Sequence, residues 1–137
     1  MRSAVNYALA YVASLLLFAA VDITWLMTMG ARLYKQTLGD ILLPTVNIAP
    51  AIAFYAIYPV ALVYFAIMPA LKSGSVALAL FNGALFGFVA YATYELTNFA
   101  TLRNWTLQIT VIDIVYGAVA SGLVSAVVAA ALMAWRG

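Results

Sequence analysis

The stretch Tyr91-Ala92-Thr93-Tyr94-Glu95-Leu96-Thr97-Asn98-Phe99-Ala100-Thr101-Leu102-Arg103-Asn104-Trp105 sets a carboxylate and an amide inside an otherwise apolar segment. At helical spacing Tyr91, Tyr94, Glu95 and Asn98 share one face, and steps of four residues back from Tyr91 reach Gly87 and Gly83. A carboxylate is too costly to present to hydrocarbon, so this face points at protein.

Working outward, the surrounding composition sets the solvent. The chain has 137 residues, one domain by length, yet 68% are hydrophobic and only 7% charged, far outside the range of a soluble domain. Four apolar runs, near 4–29, 45–70, 75–101 and 107–133, are each long enough to cross a hydrocarbon core of about 30 Å, which needs about 20 helical residues. Transmembrane barrels alternate apolar and polar residues in segments of about ten, and no such alternation occurs here. Helices are the remaining way to satisfy every backbone group in lipid. The expected fold is therefore all-α: a polytopic membrane protein, one four-transmembrane-helix bundle over residues 1–137. The N-terminus has the Arg2-plus-apolar-run look of a signal peptide, but the run continues past Ala20 to Met29, and Phe18 stands where cleavage wants a small residue. It reads as a retained first helix.

With no cysteine and no histidine, disulfides, thiolate nucleophiles, imidazole bases, histidine-ligated haem and the usual zinc sites are excluded. What remains is carboxylate, amide, phenol and hydroxyl chemistry, and neither a metal nor a cofactor is expected. The net charge of +2 comes from scattered loop residues and makes no basic patch for nucleic acid.

Taken in order, helix one carries Asp22-Ile23-Thr24-Trp25 near its far end, with Ser14 and Phe18 on the same side. The connection near 30–44 offers Gly39 as a C-terminal cap and Pro44 as a first helical residue. Helix two contains Pro50 and Pro59, which remove backbone donors and free carbonyls one turn back, near Val46 and Tyr55. A bent helix of this kind suits a cavity wall, although a harmless kink is an equal reading. Asn47, Phe54, Tyr55, Tyr58 and Phe65 fall along one broad face of it. Short turns around Pro69–Gly74 and Arg103–Trp105 make consecutive helices antiparallel neighbours. Asn104 or Thr106 is placed to cap helix four, and Trp105 sits where amphipathic aromatics collect at the membrane interface. Gly83-xxx-Gly87 in helix three, and Gly117, Ser121 and Ser125 in helix four, are spacings that let helices approach closely in lipid.

Of the 4 acidic residues, Asp40 lies in a loop, whereas Asp22, Glu95 and Asp113 lie within apolar runs, each roughly 8–10 Å from its helix midpoint. Chain direction puts all three in the same half of the bundle, together with Asn47 at the start of helix two. One polar pocket is expected from Asp22, Asn47, Glu95, Asn98 and Asp113, lined by Tyr55, Tyr91, Tyr94 and Tyr116. Acids so placed face inward and titrate as a coupled set. A second reading stays open, in which they only pin helices together through hydrogen bonds. Arg32, Lys35 and Arg103 at that end read as interface anchors. They balance Arg2, Lys72 and Arg136 at the other, so the positive-inside rule gives no orientation.

The pattern Asp22-xx-Trp25, Tyr91-xx-Tyr94-Glu95-Leu96-Thr97-Asn98-xx-Thr101-Leu102-xx-Trp105 and Asp113-xx-Tyr116-Gly117 resembles an uncharacterised family, a domain of unknown function, of small four-helix bacterial inner-membrane proteins. In that family the acid after the second tyrosine is often Asp where this chain has Glu95, and Trp is common at the position of Tyr116. Both exchanges keep the chemical type. The resemblance implies four helices and a bacterial inner-membrane location, multi-pass, and no particular activity.

Three functions follow as expectations. The first is binding or transport of a small polar or cationic ligand, or of protons, by Asp22, Asn47, Tyr91, Tyr94, Glu95, Asn98, Asp113 and Tyr116. The second is a non-catalytic accessory subunit, docked on a larger membrane complex through Gly117, Ser121 and Ser125 or the aromatic faces. The third is a membrane enzyme acting on a lipid or isoprenoid, with Glu95 or Asp113 as acid or base and an oxygen-ligated Mg²⁺ as an option; paired acids at metal-binding spacing on one helix and a recognisable nucleophile are both missing, so an enzyme is the lesser expectation. Membrane lipids, a homo-oligomer or a larger complex are the expected partners.

Overall fold

The computed structural model describes residues 2–136 and is all-helical over them apart from short connections. Four long apolar helices form it. The first, α1, is Arg2–Met29, continued by a π-helical turn at Gly30–Tyr34 and a last turn at Lys35–Leu38. Helix α2 is Ile48–Leu62, with a π-helical turn at Val63–Ile67 and an end segment Met68–Ser73. Helices α3 (Val76–Thr101) and α4 (Leu107–Arg136) are uninterrupted. All four are long and apolar enough to cross a membrane.

The helices run in a ring, each packed on its chain neighbours, with α4 closing against α1. Arg136 at the end of α4 donates to the Leu71 carbonyl at the end of α2 (3.1 Å), so those two ends lie together. The acid-bearing half is the opposite end.

Two boundaries differ from the sequence reading. The first helix does not stop at 29; it continues to Leu38, and Leu33 and Leu38 are buried against Ile109 of α4. Arg32, Tyr34 and Lys35 read as a helix flank, but the π-helical turn lets the helix carry them while turning an apolar edge inward. Gly39 follows that helix with φ −47°, so it makes no left-handed cap. Helix α2 begins at Ile48 rather than near Pro44 or 45. Pro50 thereby falls in the first turn, where its missing N–H would have had no partner in any case.

The kink lies further along. Pro59 is inside α2 and the π-helical turn follows it. Pro69 cannot donate to the carbonyl of Phe65, one turn back, and that carbonyl instead accepts from the Asn82 amide of α3 at 3.0 Å. Tyr11 of α1 donates to the Ala56 carbonyl, in the turn before Pro59, at 2.8 Å.

The α2–α3 turn ends in Gly74 at φ +69°, a left-handed position natural to glycine, and Ser75 caps α3 by accepting from the Leu78 N–H. At the α3–α4 turn Asn104 takes the left-handed position (φ +71°), and Thr106 is the cap, accepting from the Ile109 N–H at 3.1 Å.

The most extensive contact is α3 on α4. A Cβ on Gly83 would lie 2.6 Å from Ser125 Oγ and 2.7 Å from the Ser121 carbonyl, and one on Gly87 would meet the Gly117 carbonyl and Ser121 Oγ. Glycine is required there because backbones nearly touch. Gly117, Ser121 and Ser125 are buried within the chain by this packing, so they offer no surface to a larger complex. Ser121 also bonds Tyr58 of α2 (2.7 Å). The core of the closed half is Phe18, Leu62, Ile67, Val124 and Val128, with the Phe18 and Tyr58 rings 4.8 Å apart.

Candidate functional site

The α3–α4 seam sets the first wall of the site. A Cβ at Gly117 would run into the Tyr91 ring, so the ring lies against bare backbone and is held at the depth of the acids. Tyr116, the next residue of α4, stacks on Trp25 of α1, with centroids 4.2 Å apart and planes 14° apart. These rings enclose one side of a cavity of about 430 Å³. Asp22, Glu95 and Asp113 all line it, from α1, α3 and α4.

The acids are inward and nearly inaccessible: Asp22 and Asp113 are 7% exposed, and Glu95 is 0% exposed. Their hydrogen bonding differs. Both Asp22 oxygens are occupied, Oδ2 by Tyr55 of α2 (2.5 Å) and Oδ1 by Tyr116 of α4 (2.8 Å). Asp22 therefore ties three helices together. Asp113 Oδ1 accepts from the Tyr34 hydroxyl, which in turn accepts from the Trp25 indole N–H (3.0 Å). Glu95 Oε1 accepts from the Trp105 indole N–H at 3.0 Å, whereas its buried Oε2 meets no N–H or hydroxyl donor and has the Asp113 carboxyl within hydrogen-bonding reach, a pair that one shared proton joins. Asp113 is the neighbouring carboxyl to Glu95.

The rest of the cavity is apolar or aromatic. Leu38, Ile41 and Leu42 cover it from the α1–α2 connection, and Leu102 and Trp105 from the α3–α4 turn. No lysine or arginine lines it. Arg32, Lys35 and Arg103 stand exposed at the same end of the bundle. The cavity is thus a chamber of uncompensated carboxyls and aromatic faces, a setting that favours cations and N–H donors and opposes anions. Among the described residues no group of three carboxylates has the spacing of a metal site.

Of the residues expected from sequence, the cavity brings together Asp22, Tyr91, Tyr94, Glu95, Asp113 and Tyr116. Tyr55 reaches it indirectly, through Asp22. Asn47 does not join: helix α2 starts one residue later, leaving Asn47 extended (φ −77°, ψ 106°), outside the helix and exposed. Asn98 does not line the cavity either. It is half-buried, and the side of Glu95 toward that end is taken by the Trp105 indole.

Sequence reasoning missed Tyr34 and assigned Trp105 to the interface. Tyr34 was hidden by the basic residues around it, which marked the segment as a loop. Trp105 lies ten residues after Glu95 across a tight turn, and that short return was the available signal.

Four apolar spans with an acid-bearing cavity at one end define a polytopic integral membrane protein. The match to known families agrees in class and extent. The chain belongs to the family described as "Predicted membrane protein (DUF2177)", whose model matches residues 7–130. It matches no curated protein and no solved structure.

Proposed function

We propose that the protein binds, and by binding carries or senses, a small cationic or N–H-donating ligand in the cavity between α1, α3 and α4, with Glu95 as its principal acceptor. The observation that carries this reading is Glu95 Oε2: a carboxyl oxygen with no N–H or hydroxyl donor, on a residue that borders the cavity but is itself fully covered, so a ligand reaches it by displacing the side chains around it. Leaving a buried acceptor unsatisfied costs about 1–3 kcal/mol, so Oε2 calls for a donor, either a ligand N–H or a proton shared with Asp113. Asp113 and the aromatic rings supply further attraction for a positive group.

A proton is the smallest such occupant. The facing Asp113 carboxyl favours it as a second reading, since a proton shared between the two carboxyls would satisfy Oε2 without any ligand. The two readings are linked, because a ligand that enters as a cation displaces that proton, which is the exchange a coupled transporter needs.

Native mass spectrometry of the protein extracted gently from its own membrane, beside Glu95→Gln, separates the possibilities. A low-mass adduct on the wild type that is absent from the variant supports ligand binding. Identical spectra from the two proteins would remove Glu95 from the role proposed for it. A stoichiometric partner protein retained by both forms, with no small adduct on either, would favour an accessory subunit.

A further inference from the structure

A second cavity adjoins the first. It has about 420 Å³ and is lined by Phe54 and Tyr58 of α2 and by Ala90, Tyr91 and Tyr94 of α3. Tyr91 and Tyr94 also line the acid cavity, so the two spaces share those side chains as a common wall. The two side chains differ in how they are held. Tyr91 is pinned against Gly117 and set edge-on to Tyr58 and Tyr116. Tyr94 is 58% exposed and touches the Trp105 ring edge-on, 6.0 Å between centroids. The second cavity holds no acid, base or amide, and its rim residues Phe54 and Tyr94 lie on the outer, lipid-facing surface.

An acid cavity beside an apolar groove, parted by the buried Tyr91 ring and the exposed Tyr94 ring, fits one ligand chemistry. Resting on the ligand-binding reading above, we infer that the physiological ligand is a lipophilic amine: a protonated primary or secondary amine on one apolar chain. Its headgroup lies against Glu95, and its chain leaves past Tyr94 into the groove of Phe54, Tyr58 and Ala90. Unlike a quaternary ammonium, the amine brings an N–H to Glu95 Oε2 in place of a proton shared with Asp113. Three carboxyls and no base exclude an anionic headgroup. The aromatic faces of Trp25, Tyr91 and Tyr116 suit the positive charge. The groove accepts the chain directly from the bilayer, so the ligand need not cross water to arrive.

The test uses the full chain in phosphatidylcholine nanodiscs and a dodecylamine bearing a diazirine on its chain. Ultraviolet crosslinking is followed by peptide mapping. Labelling is expected to concentrate at Phe54, Ala90 and Tyr94 and to fall about tenfold or more in Glu95→Gln, the scale of one charge-assisted hydrogen bond. The matching diazirine dodecanol should label all lipid-facing helices without preference. Ala90→Phe, which narrows the groove, should redistribute the label. If that variant fails to fold, the amine-against-alcohol comparison on the wild type decides alone. Even labelling by the amine, a pattern indifferent to Glu95→Gln, or labelling that leaves through Ile41, Leu42 and Leu102 would each overturn the proposal. Binding of methylammonium, which has no chain, is measured in parallel. If it binds in a Glu95-dependent way while the amine labels evenly, the groove assignment fails and the ligand site stands; if neither binds, both fail.

Discussion

At the scale of residues, three acids in similar settings have separated into different roles, and their hydrogen bonds show how. Asp22 has both oxygens filled by tyrosines from two other helices, which is the work of a clamp. Replacing Asp22 with Ala strands two phenols in the interior and should lower stability by about 1–3 kcal/mol, read as a shift in the unfolding midpoint in mixed micelles. Glu95 has one oxygen held by the Trp105 indole and the other beside the Asp113 carboxyl with no N–H or hydroxyl donor, the arrangement on which the proposed acceptor role rests. Glu95→Gln should therefore leave the midpoint nearly unchanged while removing ligand binding. Trp105→Phe removes the donor that orients Glu95 and leaves Oε1 unsatisfied, so it should weaken binding and also lower stability by about 1–3 kcal/mol, read as a shift in the midpoint, unlike Glu95→Gln. The position of Glu95 and of both aspartates was legible in the sequence, since a carboxylate inside an apolar run has few places to go. Their division of labour was not, because it depends on which tyrosine from a distant helix reaches which oxygen.

At the scale of elements, the seam between α3 and α4 is what fixes the site. Gly83 and Gly87 meet Ser121, Ser125 and the Gly117 backbone without room for a methyl group. Gly87→Val should push the helices apart and cost about 1–3 kcal/mol, the scale of overpacking, and it should loosen Tyr91 over Gly117. In α2, Asn82→Ala leaves the Phe65 carbonyl without a donor beside Pro69 and should cost about 1 kcal/mol, with hydrogen exchange of the Val63–Ile67 turn accelerated. The glycine spacing and the prolines are visible as soon as helices are assumed. The extension of α1 to Leu38 is not. A π-helical turn adds one residue to a turn and rotates the following face, so the apolar period that marks a helix breaks at the point where Tyr34 is swung toward Asp113. The same limit explains Asn47, whose membership of the site depended on placing the start of α2 within three residues.

At the scale of the whole molecule, the bundle is closed and well packed at one end and hollow at the other. Each end carries three basic residues, so nothing in the charge count selects an orientation. Exchanging Arg32 and Arg103 for Gln should bias insertion toward the Lys72 and Arg136 end facing the cytoplasm, as scored by the accessibility of single introduced cysteines. Four spans, their antiparallel order and the end of the bundle that holds the acids follow from hydropathy and chain direction. The cavity and its aromatic neighbour do not, because volumes arise from side chains that fail to meet. The central claim is that Glu95 is an acceptor for a ligand and not a strut. Its most direct measurement is equilibrium binding of isotopically labelled methylammonium to wild type and Glu95→Gln in nanodiscs, with unfolding midpoints recorded on the same samples. Saturable binding to the wild type is expected, weakened about tenfold or more in the variant at an almost unchanged midpoint. Equal binding by both proteins, or a variant that loses stability as an Asp22 clamp variant does, would contradict it.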